Sequence, residues 1–307
     1  MSNALRLSAL ALLVFLLTVT AQQPASLQLN SRLIPLAFSV TDEHGAPVPN
    51  LTAADFALTE DDRLQRIVFF DPASAIPLDI VLIVDASESV TPYQQLERAA
   101  ARTFLHSFEG QQARVALIAF ADTVAERTPF TSDLRRIDTA LRHVHRGHAT
   151  ALYDAVSFAS QRFSDVASAP NMRRGIILVS DGENTTHHGS YGSALEAAQR
   201  AGATVYSLVL IPVEADAGRD TGGEHALMQL SADTAGKSYT ITQQTDLALA
   251  LEHVSDDLRT QYALGYYPPE TPEMSPIRHI HLQLTNPELQ SRTTLRYRTA
   301  YYAAAQP

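Results

Sequence analysis

The chain has 307 residues, of which 45% are hydrophobic and 18% charged, and its formal net charge at pH 7 is −10. This composition is typical of a globular protein, and the length allows one large domain or two smaller ones. The absence of cysteine excludes disulfides, thiolate metal sites and cysteine nucleophiles. Because no segment gathers Lys and Arg into a basic surface, we expect no nucleic-acid partner.

Residues 1–21 have the pattern of a signal peptide. Arg6 precedes a largely apolar run from Leu7 to Val19 without a charged residue, and the small residues Thr20 and Ala21 follow. The run is shorter than the ~20 residues that a permanent transmembrane helix needs. We therefore predict an exported protein, periplasmic or extracellular, whose mature chain has no membrane span. An uncleaved membrane anchor is the alternative.

The segment 22–76 has the pattern of short β-strands. A strand is predicted at 36–41, and a hairpin with an acidic turn is predicted from 56–62 and 66–70. Because an isolated hairpin is only marginally stable in water, these strands need a partner sheet. We interpret this segment as the first part of a small accessory β domain.

The segment 77–260 alternates strands with helices. Nearly continuous aliphatic runs such as Leu78–Val84 are typical of strands that are covered on both faces, whereas the more polar stretch 124–130 indicates an edge strand. This alternation predicts an α/β domain with a doubly wound, mostly parallel sheet in the strand order 3-2-1-4-5-6. The predicted strands are 78–84, 115–120, 124–130, 175–180, 204–210 and 237–242, and the predicted helices are 94–108, 134–143, 151–163, 193–201, 226–232 and 247–258.

The segment 261–307 returns to a β pattern, with strands predicted at 262–268, 278–284 and 293–302. Within the second of these, apolar residues alternate so that they lie on one face of the strand. The β segments at the two ends of the chain are each too small to be a domain. We therefore expect them to pair with each other and to form the accessory β domain beside the α/β domain.

Oxygen-bearing side chains follow the strands that lie at the centre of the predicted sheet. Asp85, Ser87 and Ser89 alternate after the first buried strand, Asp181 follows the third, and Thr150 precedes a helix. In the predicted strand order, the strands that end at Asp85 and Asp181 are neighbours at the switch point where ligands bind. Oxygen donors without sulfur favour Mg²⁺, Mn²⁺ or Ca²⁺ over Zn²⁺. Taken alone, the first motif also fits ordinary helix caps.

Together these motifs resemble the metal-ion-dependent adhesion site of von Willebrand factor type A domains, which the inserted domains of integrins share. The resemblance covers roughly 77–260 and rests on Asp85-x-Ser87-x-Ser89, on Thr150 in a Gly-x-x-Thr-Ala-Leu-Tyr-Asp setting, and on Ser180-Asp181-Gly182. The flanking segments resemble an exported bacterial subfamily called VWFA-related. The resemblance implies that the two serines and the threonine bind the ion directly or through water. It also implies that the two aspartates supply charge, partly from behind the direct ligands, and that the helix 247–258 differs between metal-free and metal-loaded forms.

Such a site favours binding over catalysis. Three neutral hydroxyls and two carboxylates leave an oxygen-seeking ion incompletely coordinated, and an Asp or Glu carboxylate from another protein can complete the coordination. A hydroxyl-rich set of ligands is poor at activating water. We therefore predict a metal-dependent protein-binding or adhesion module that is not an enzyme, with Mg²⁺ as the first choice of ion.

Several alternatives remain at this point. A zinc site from His143, His145 and His148 would lack a carboxylate partner, and such histidines more often face solvent. Glu88, between the two serines, is a further candidate ligand, and Asp154 is a candidate for orienting the threonine loop. The Gly- and Asp-rich stretch 216–224 is either a second cation loop or a mobile loop, and it lacks the Ca²⁺-loop spacing. The histidines 187 and 188 are expected on the rim of the metal face.

Two other functions also remain. One is a structural or assembly protein of the cell envelope whose metal only holds loops together. The other is a metal-dependent phosphohydrolase with Asp85 as nucleophile. That chemistry needs a second carboxylate two residues further on, where Ser87 stands, and a positioned lysine, whereas Lys237 is the only lysine of the chain. No Gly-rich phosphate loop is present either.

Overall fold

The computed structural model describes residues 33–72, 77–90, 101–108, 112–144, 146–165, 172–211, 220–268 and 275–303. The predicted signal peptide, the first part of the predicted helix 94–108, His145 and residues 216–219 lie outside these ranges. All described residues belong to one compact unit, Arg32–Pro307. Among them, no helix has the length and apolar character that crossing a membrane would require.

The central sheet has six strands in the order β10-β9-β8-β5-β6-β7. Its strands are β5 (Leu78–Asp85), β6 (Ala113–Phe120), β7 (Val124–Thr131), β8 (Arg173–Ser180), β9 (Thr204–Leu210) and β10 (Ser238–Ile241). Counted from β5 as the first strand, this is the predicted order 3-2-1-4-5-6. Only β7 is antiparallel to its neighbour, and it lies at one edge, so the predicted edge strand is confirmed.

Helices cover both faces of this sheet. They are α1 (the described part, 101–106), α2 (Leu134–Leu141), α3 (Leu152–Asp165), α4 (Tyr191–Ala201), α5 (Thr221–Asp233) and α6 (Gln244–Thr260). Every residue of β5 is buried. Ile80 and Val81 belong to different hydrophobic clusters, the first with Leu251 of α6 and the second with Val156 of α3. The aliphatic run of β5, which Asp79 interrupts, therefore reflects packing on both sides, and the doubly wound α/β fold is confirmed.

Strands from the two chain ends form two further four-stranded sheets, with the orders β13-β1-β11-β4 and β14-β12-β2-β3. These strands are β1 (Ile34–Asp42), β2 (Phe56–Glu60), β3 (Arg63–Gln65), β4 (Ile67–Asp71), β11 (Tyr262–Tyr266), β12 (Ile277–Leu284), β13 (Thr293–Tyr297) and β14 (Ala300–Tyr302). β1 pairs with β11 and β13, and β2 pairs with β12. The alternating residues Ile280, Leu282 and Leu284 are buried in their common core. The expected pairing of the chain ends is thus observed.

Two details of the β segments differ from the predictions. The hairpin partner of β2 is the short β3, whereas β4 crosses to the other sheet and pairs with β11. There the ring of Phe69 fills the space over Gly265, where a Cβ atom would lie 2.1 Å from a ring carbon. The predicted strand 293–302 is divided between β13 and β14, and a short helix α7 (Pro287–Arg292) precedes it. Asn286 caps this helix and Pro287 begins it, a pattern that indicates a helix start.

A buried carboxylate joins α6 to the chain-end sheets. Asp257 is 6% exposed and accepts hydrogen bonds from the Tyr206 hydroxyl and from Arg296 of β13, with Arg296 Nη2 2.6 Å from Oδ2. Ser39 of β1 donates at 3.4 Å, and Lys237 Nζ lies 3.4 Å away. Burial raises the pKa of Asp257, but the charges of Arg296 and Lys237 outweigh burial and hold the pKa below its usual value.

We predict that Arg296→Ala lowers the free energy of unfolding by about 3 kcal/mol at pH 7, because it leaves the Asp257 carboxylate buried with its main cation removed. Urea denaturation measures the change. The matched control is Arg292→Ala, whose side chain is 67% exposed and whose ion pairs contribute under about 1 kcal/mol. An equal loss in both variants would contradict the importance of this ion pair.

The same pair predicts a pH dependence. Because the folded-state pKa of Asp257 lies below the unfolded value, its contribution to stability is present at neutral pH. It is lost as the pH falls through the folded-state pKa. The difference in unfolding free energy between wild type and Arg296→Ala should therefore shrink between pH 7 and pH 3. A difference that is constant over this range would show that the charge of Asp257 is not involved.

Candidate metal centre

The centre begins with a buried carboxylate at the carboxyl end of β5. Asp85 is 1% exposed, and its neighbour strand β8 ends beside it at Ser180. The Ser180 hydroxyl donates to Asp85 Oδ2 at 2.7 Å, and the backbone N–H of Ser87 donates to Oδ1 at 2.9 Å. Both oxygens of this carboxylate are therefore fixed by neighbouring groups.

This carboxylate is charged only at a cost in free energy. Burial raises the pKa of Asp85 to about 6, because the hydrogen bonds from Ser180 and Ser87 only partly oppose the loss of water. The nearby negative charge of Asp181 raises the pKa further. A position where one carboxylate is buried and another lies close by is one that a bound cation stabilises.

Two serine hydroxyls lie in front of this carboxylate. Ser87 is buried and Ser89 is exposed, and their Oγ atoms are 3.0 Å apart. Neighbouring ligands of an octahedral Mg²⁺ ion at 2.0–2.1 Å are separated by about 3.0 Å. The serine pair thus has the spacing of two adjacent ligands before any ion is bound.

Thr150 is joined to the loops that follow β5 and β8. Gly147 forms a parallel bridge with Ser87, and its N–H donates to Ala86 O at 3.1 Å. On the other side, the Thr150 N–H donates to Thr185 Oγ1 at 2.8 Å, and the Thr185 N–H donates to Thr150 O at 3.0 Å. Thr150 itself is 1% exposed. These contacts bring the predicted threonine to the same edge of the sheet as the two serines.

Asp181 is partly exposed, and its Oδ1 accepts the N–H of Glu183 at 3.1 Å. The turn that follows needs Gly182, which has φ +88° and where a Cβ atom would lie 2.6 Å from the backbone carbon of Gly223. Burial and the charges of Asp181 and Asp220 raise the pKa of Glu183. The carboxylates therefore give this edge of the sheet a negative electrostatic potential.

The residues at this edge fit a hard divalent cation. Their donors are hydroxyl and carboxylate oxygens, which suit Mg²⁺, Mn²⁺ or Ca²⁺. The buried carboxylate of Asp85 and the 3.0 Å spacing of the serine hydroxyls are the two observations of fit. Within the described residues, no group of three or more His, Asp or Glu side chains is arranged to hold a metal.

Asn184 and Thr185 fix the geometry of the threonine loop, although neither was predicted from the sequence as a functional residue. Asn184 Oδ1 accepts the N–H of Leu152 at 3.0 Å and so caps the start of α3 from another loop. Its Nδ2 donates to Thr186 O at 2.8 Å. Asn and Thr readily bond to backbone groups, and that is the only signal in the sequence. The bonded loop is more than 30 residues away, so the sequence does not show the target.

The other candidates have different surroundings. His143 Nδ1 lies 2.8 Å from Thr139 O, and His148 Nδ1 lies 2.9 Å from Glu88 Oε1 at the surface. His143 and His148 therefore contact different groups, and His148 has the carboxylate neighbour that the zinc alternative was expected to lack, whereas His145 lies outside the described residues. The described end of the predicted loop 216–224 is the start of α5, where Asp220 accepts the N–H of Gly223.

Histidines 187 and 188 are exposed, as expected for the rim. Asp154 lies beside Gly189, where a Cβ atom would be 2.8 Å from Oδ1. This places Asp154 against the loop that follows β8.

We predict that Asp85→Asn stabilises the metal-free protein at pH 8 while it removes metal binding. The raised pKa means that ionising Asp85 costs folding free energy, about 3 kcal/mol at most. This cost is absent below pH 4 and is complete above the folded-state pKa of about 6. Urea denaturation in EDTA should show an advantage of Asp85→Asn that grows from pH 5 to pH 8.

The matched control for this experiment is Asp133→Asn. Asp133, whose side chain is 41% exposed, caps α2 at the opposite edge of the sheet. It should show no such gain. If Asp85→Asn is less stable than wild type at pH 8 in EDTA, the ionised carboxylate of Asp85 does not destabilise the metal-free fold.

Solved structures show the same fold. A pilus adhesin, SpaC, from Lactobacillus rhamnosus GG matches with a TM-score of 0.51 and 12% identity over 88% of this chain and 44% of the adhesin. Proximal thread matrix protein 1 from the mussel byssus, solved with zinc in its adhesion-site motif, matches with a TM-score of 0.51 and 18% identity over 65% of this chain and 49% of that protein. An aerotolerance-related membrane protein from Bacteroides fragilis is 21% identical over 59% of this chain and 98% of its own, with a TM-score of 0.46.

No curated protein matches the chain in sequence. The family model of the von Willebrand factor type A domain matches residues 79–258, which is more than half of the chain. This range begins inside β5 and ends near the end of α6. It includes the central sheet, the helices on both of its faces and all five predicted metal ligands. The chain belongs to the von Willebrand factor type A domain family.

Proposed function

We propose that this protein is an exported binding module that captures a carboxylate of a protein partner through a divalent cation. The proposed metal site consists of Asp85, Ser87, Ser89, Thr150 and Asp181. The observation that carries the proposal is the pair of serine hydroxyls, 3.0 Å apart, directly after the buried carboxylate of Asp85.

The roles of the residues follow from their surroundings. Both Asp85 oxygens already accept hydrogen bonds from Ser180 and Ser87. Asp85 therefore supplies negative charge and orients Ser87, whereas the hydroxyls of Ser87, Ser89 and Thr150 are the proposed direct donors. Asp181 is partly exposed and supplies the second negative charge. When bound, the cation offers a partner carboxylate a positively charged position for ligation.

Mg²⁺ is the proposed ion, with Mn²⁺ and Ca²⁺ as alternatives, because all the donors are hard oxygens. The mussel byssus protein with zinc in its adhesion-site motif makes Zn²⁺ a necessary competitor in binding experiments. The predicted signal peptide at residues 1–21 supports export to the periplasm or beyond. The pilus adhesin among the solved structures supports an adhesive role.

The contacts of Asp85 also argue against the phosphohydrolase alternative. A nucleophilic carboxylate must reach the substrate, whereas both oxygens of Asp85 already accept hydrogen bonds inside the protein, Oδ2 from the Ser180 hydroxyl and Oδ1 from the Ser87 amide. The side chain is also 1% exposed. We therefore propose that the protein is not an enzyme.

The experiment is a pull-down from envelope and secreted fractions with the purified protein, once in Mg²⁺ and once in EDTA. We expect a partner that is retained only in Mg²⁺ and that Asp181→Ala does not retain. Calorimetry should show that Asp181→Ala no longer binds Mg²⁺, because one of the two site carboxylates is missing. Its urea denaturation in EDTA should match that of wild type, because Asp181 is partly exposed.

Asp133→Ala is the control, because it removes an aspartate from the opposite edge of the sheet and should keep both the ion and the partner. A partner that is retained equally in EDTA would move the binding surface away from the metal. If Mg²⁺ raises the melting temperature but no partner depends on it, the metal is structural. Mg²⁺ binding by Asp181→Ala at wild-type affinity would refute the assigned site.

A further inference from the structure

A carboxylate outside the proposed ligand set holds the threonine loop. Asp122 lies in the turn between β6 and β7. The backbone N–H groups of His148 and Ala149 donate to its Oδ2 at 2.9 Å and to its Oδ1 at 3.0 Å. These are the two residues directly before Thr150, so one side chain fixes the backbone that leads into the proposed ligand.

The same turn holds this loop by two further contacts. The N–H of Ala151 donates to Ala121 O at 2.9 Å, just after Thr150. Gly147 leaves the space that the carboxylate occupies, since a Cβ atom there would lie 2.0 Å from Asp122 Oδ2. The turn therefore contacts the loop both before and after Thr150.

Asp122 is suited to this role in its charge as well as in its position. The backbone N–H groups of His148 and Ala149 hold the pKa of Asp122 below its usual value, so the carboxylate is ionised at neutral pH. Both of its oxygens accept backbone N–H groups of the threonine loop, so its contacts are with the backbone of that loop. On the other side of the loop, Thr185 holds the N–H and the carbonyl of Thr150.

We infer that Asp122 is a positioning residue of the metal centre, which fixes Thr150 for the ion through the amides of His148 and Ala149. This inference rests on the proposed function, because it assumes that Thr150 ligates the cation. Positioning groups behind metal ligands commonly change metal affinity by about 10- to 100-fold. Asp122 does so here through the backbone and not through a ligand side chain.

The test compares Asp122→Ala, Asp122→Asn and wild type by calorimetric titration with Mg²⁺ and by electron paramagnetic resonance of bound Mn²⁺. Asp122→Ala should weaken Mg²⁺ binding about 10- to 100-fold and change the Mn²⁺ spectrum, because Thr150 is no longer held. Asp122→Asn keeps one oxygen acceptor and should weaken binding less, by about 3- to 10-fold. Should the alanine variant fail to fold, the asparagine variant carries the same test.

Asp133→Ala is the matched control. It also removes an exposed carboxylate that accepts a backbone N–H, that of Arg135, but it lies at the opposite edge of the sheet. It should leave Mg²⁺ affinity and the Mn²⁺ spectrum unchanged. Gly147→Ala is the second test, because it keeps the charge of Asp122 while the new Cβ, 2.0 Å from Asp122 Oδ2 and 2.6 Å from Ala121 Cβ, displaces the turn from the loop. It should weaken Mg²⁺ binding as Asp122→Ala does.

Two results would overturn the inference. Asp122→Ala with a lowered melting temperature in EDTA but wild-type Mg²⁺ affinity would show that Asp122 only stabilises the turn. Equal weakening in Asp122→Asn and Asp122→Ala, with no effect of Gly147→Ala, would show an effect of charge and not of position. Wild-type protein that binds neither Mg²⁺ nor Mn²⁺ would instead refute the proposed function, and this inference with it.

Discussion

The hydrogen bond between Ser180 and Asp85 connects the fold of this protein to its proposed chemistry. It exists because β5 and β8 are neighbours at the centre of a parallel sheet and end at the same edge. Helices cover both faces of that sheet, so a carboxylate at the end of its central strand is buried. Folding thus creates an electrostatically unfavourable position, which a cation relieves.

Asp85 and Asp257 are both buried carboxylates, but their surroundings shift their pKa values in opposite directions. Asp257 lies beside Arg296 and Lys237, whose charges lower its pKa. Asp85 has hydrogen bonds and a second carboxylate nearby, and its pKa is raised. The first acid is neutralised by the protein itself and holds the structure together. In the proposed function, the charge of Asp85 is instead neutralised by a bound cation.

The parts of the fold that the sequence predicted correctly depend on strong local patterns. The mostly aliphatic sequences of β5 and of its neighbouring strands predicted a doubly wound sheet. The polar residues of β7 predicted an edge strand. Weaker local patterns gave wrong predictions where long-range packing determines which strands pair. Nothing local shows that β4 leaves the hairpin, because the fit of Phe69 over Gly265 joins residues almost 200 positions apart.

The same division holds for the candidate site. Asp85, Ser87, Ser89 and Asp181 were predicted because positions that follow neighbouring parallel strands converge at one edge of the sheet, and Thr150 was predicted from its place before a helix. The groups that orient them, Asp122, Asn184 and Thr185, act on backbone amides of a distant loop. Such contacts have no fixed spacing in sequence. They become visible only when the loops are placed side by side.

The contacts of α6 bear on the helix change that the family resemblance implies. Only Gln261 separates α6 from β11, and its side chain donates to the Tyr206 hydroxyl at 2.9 Å. Tyr206 in turn donates to Asp257, which Arg296 of β13 also holds. A shift of α6 along its axis would therefore have to break this ion pair or carry β11 and its sheet along. Any movement of α6 that the metal causes must in this way involve the sheets formed by the two chain ends.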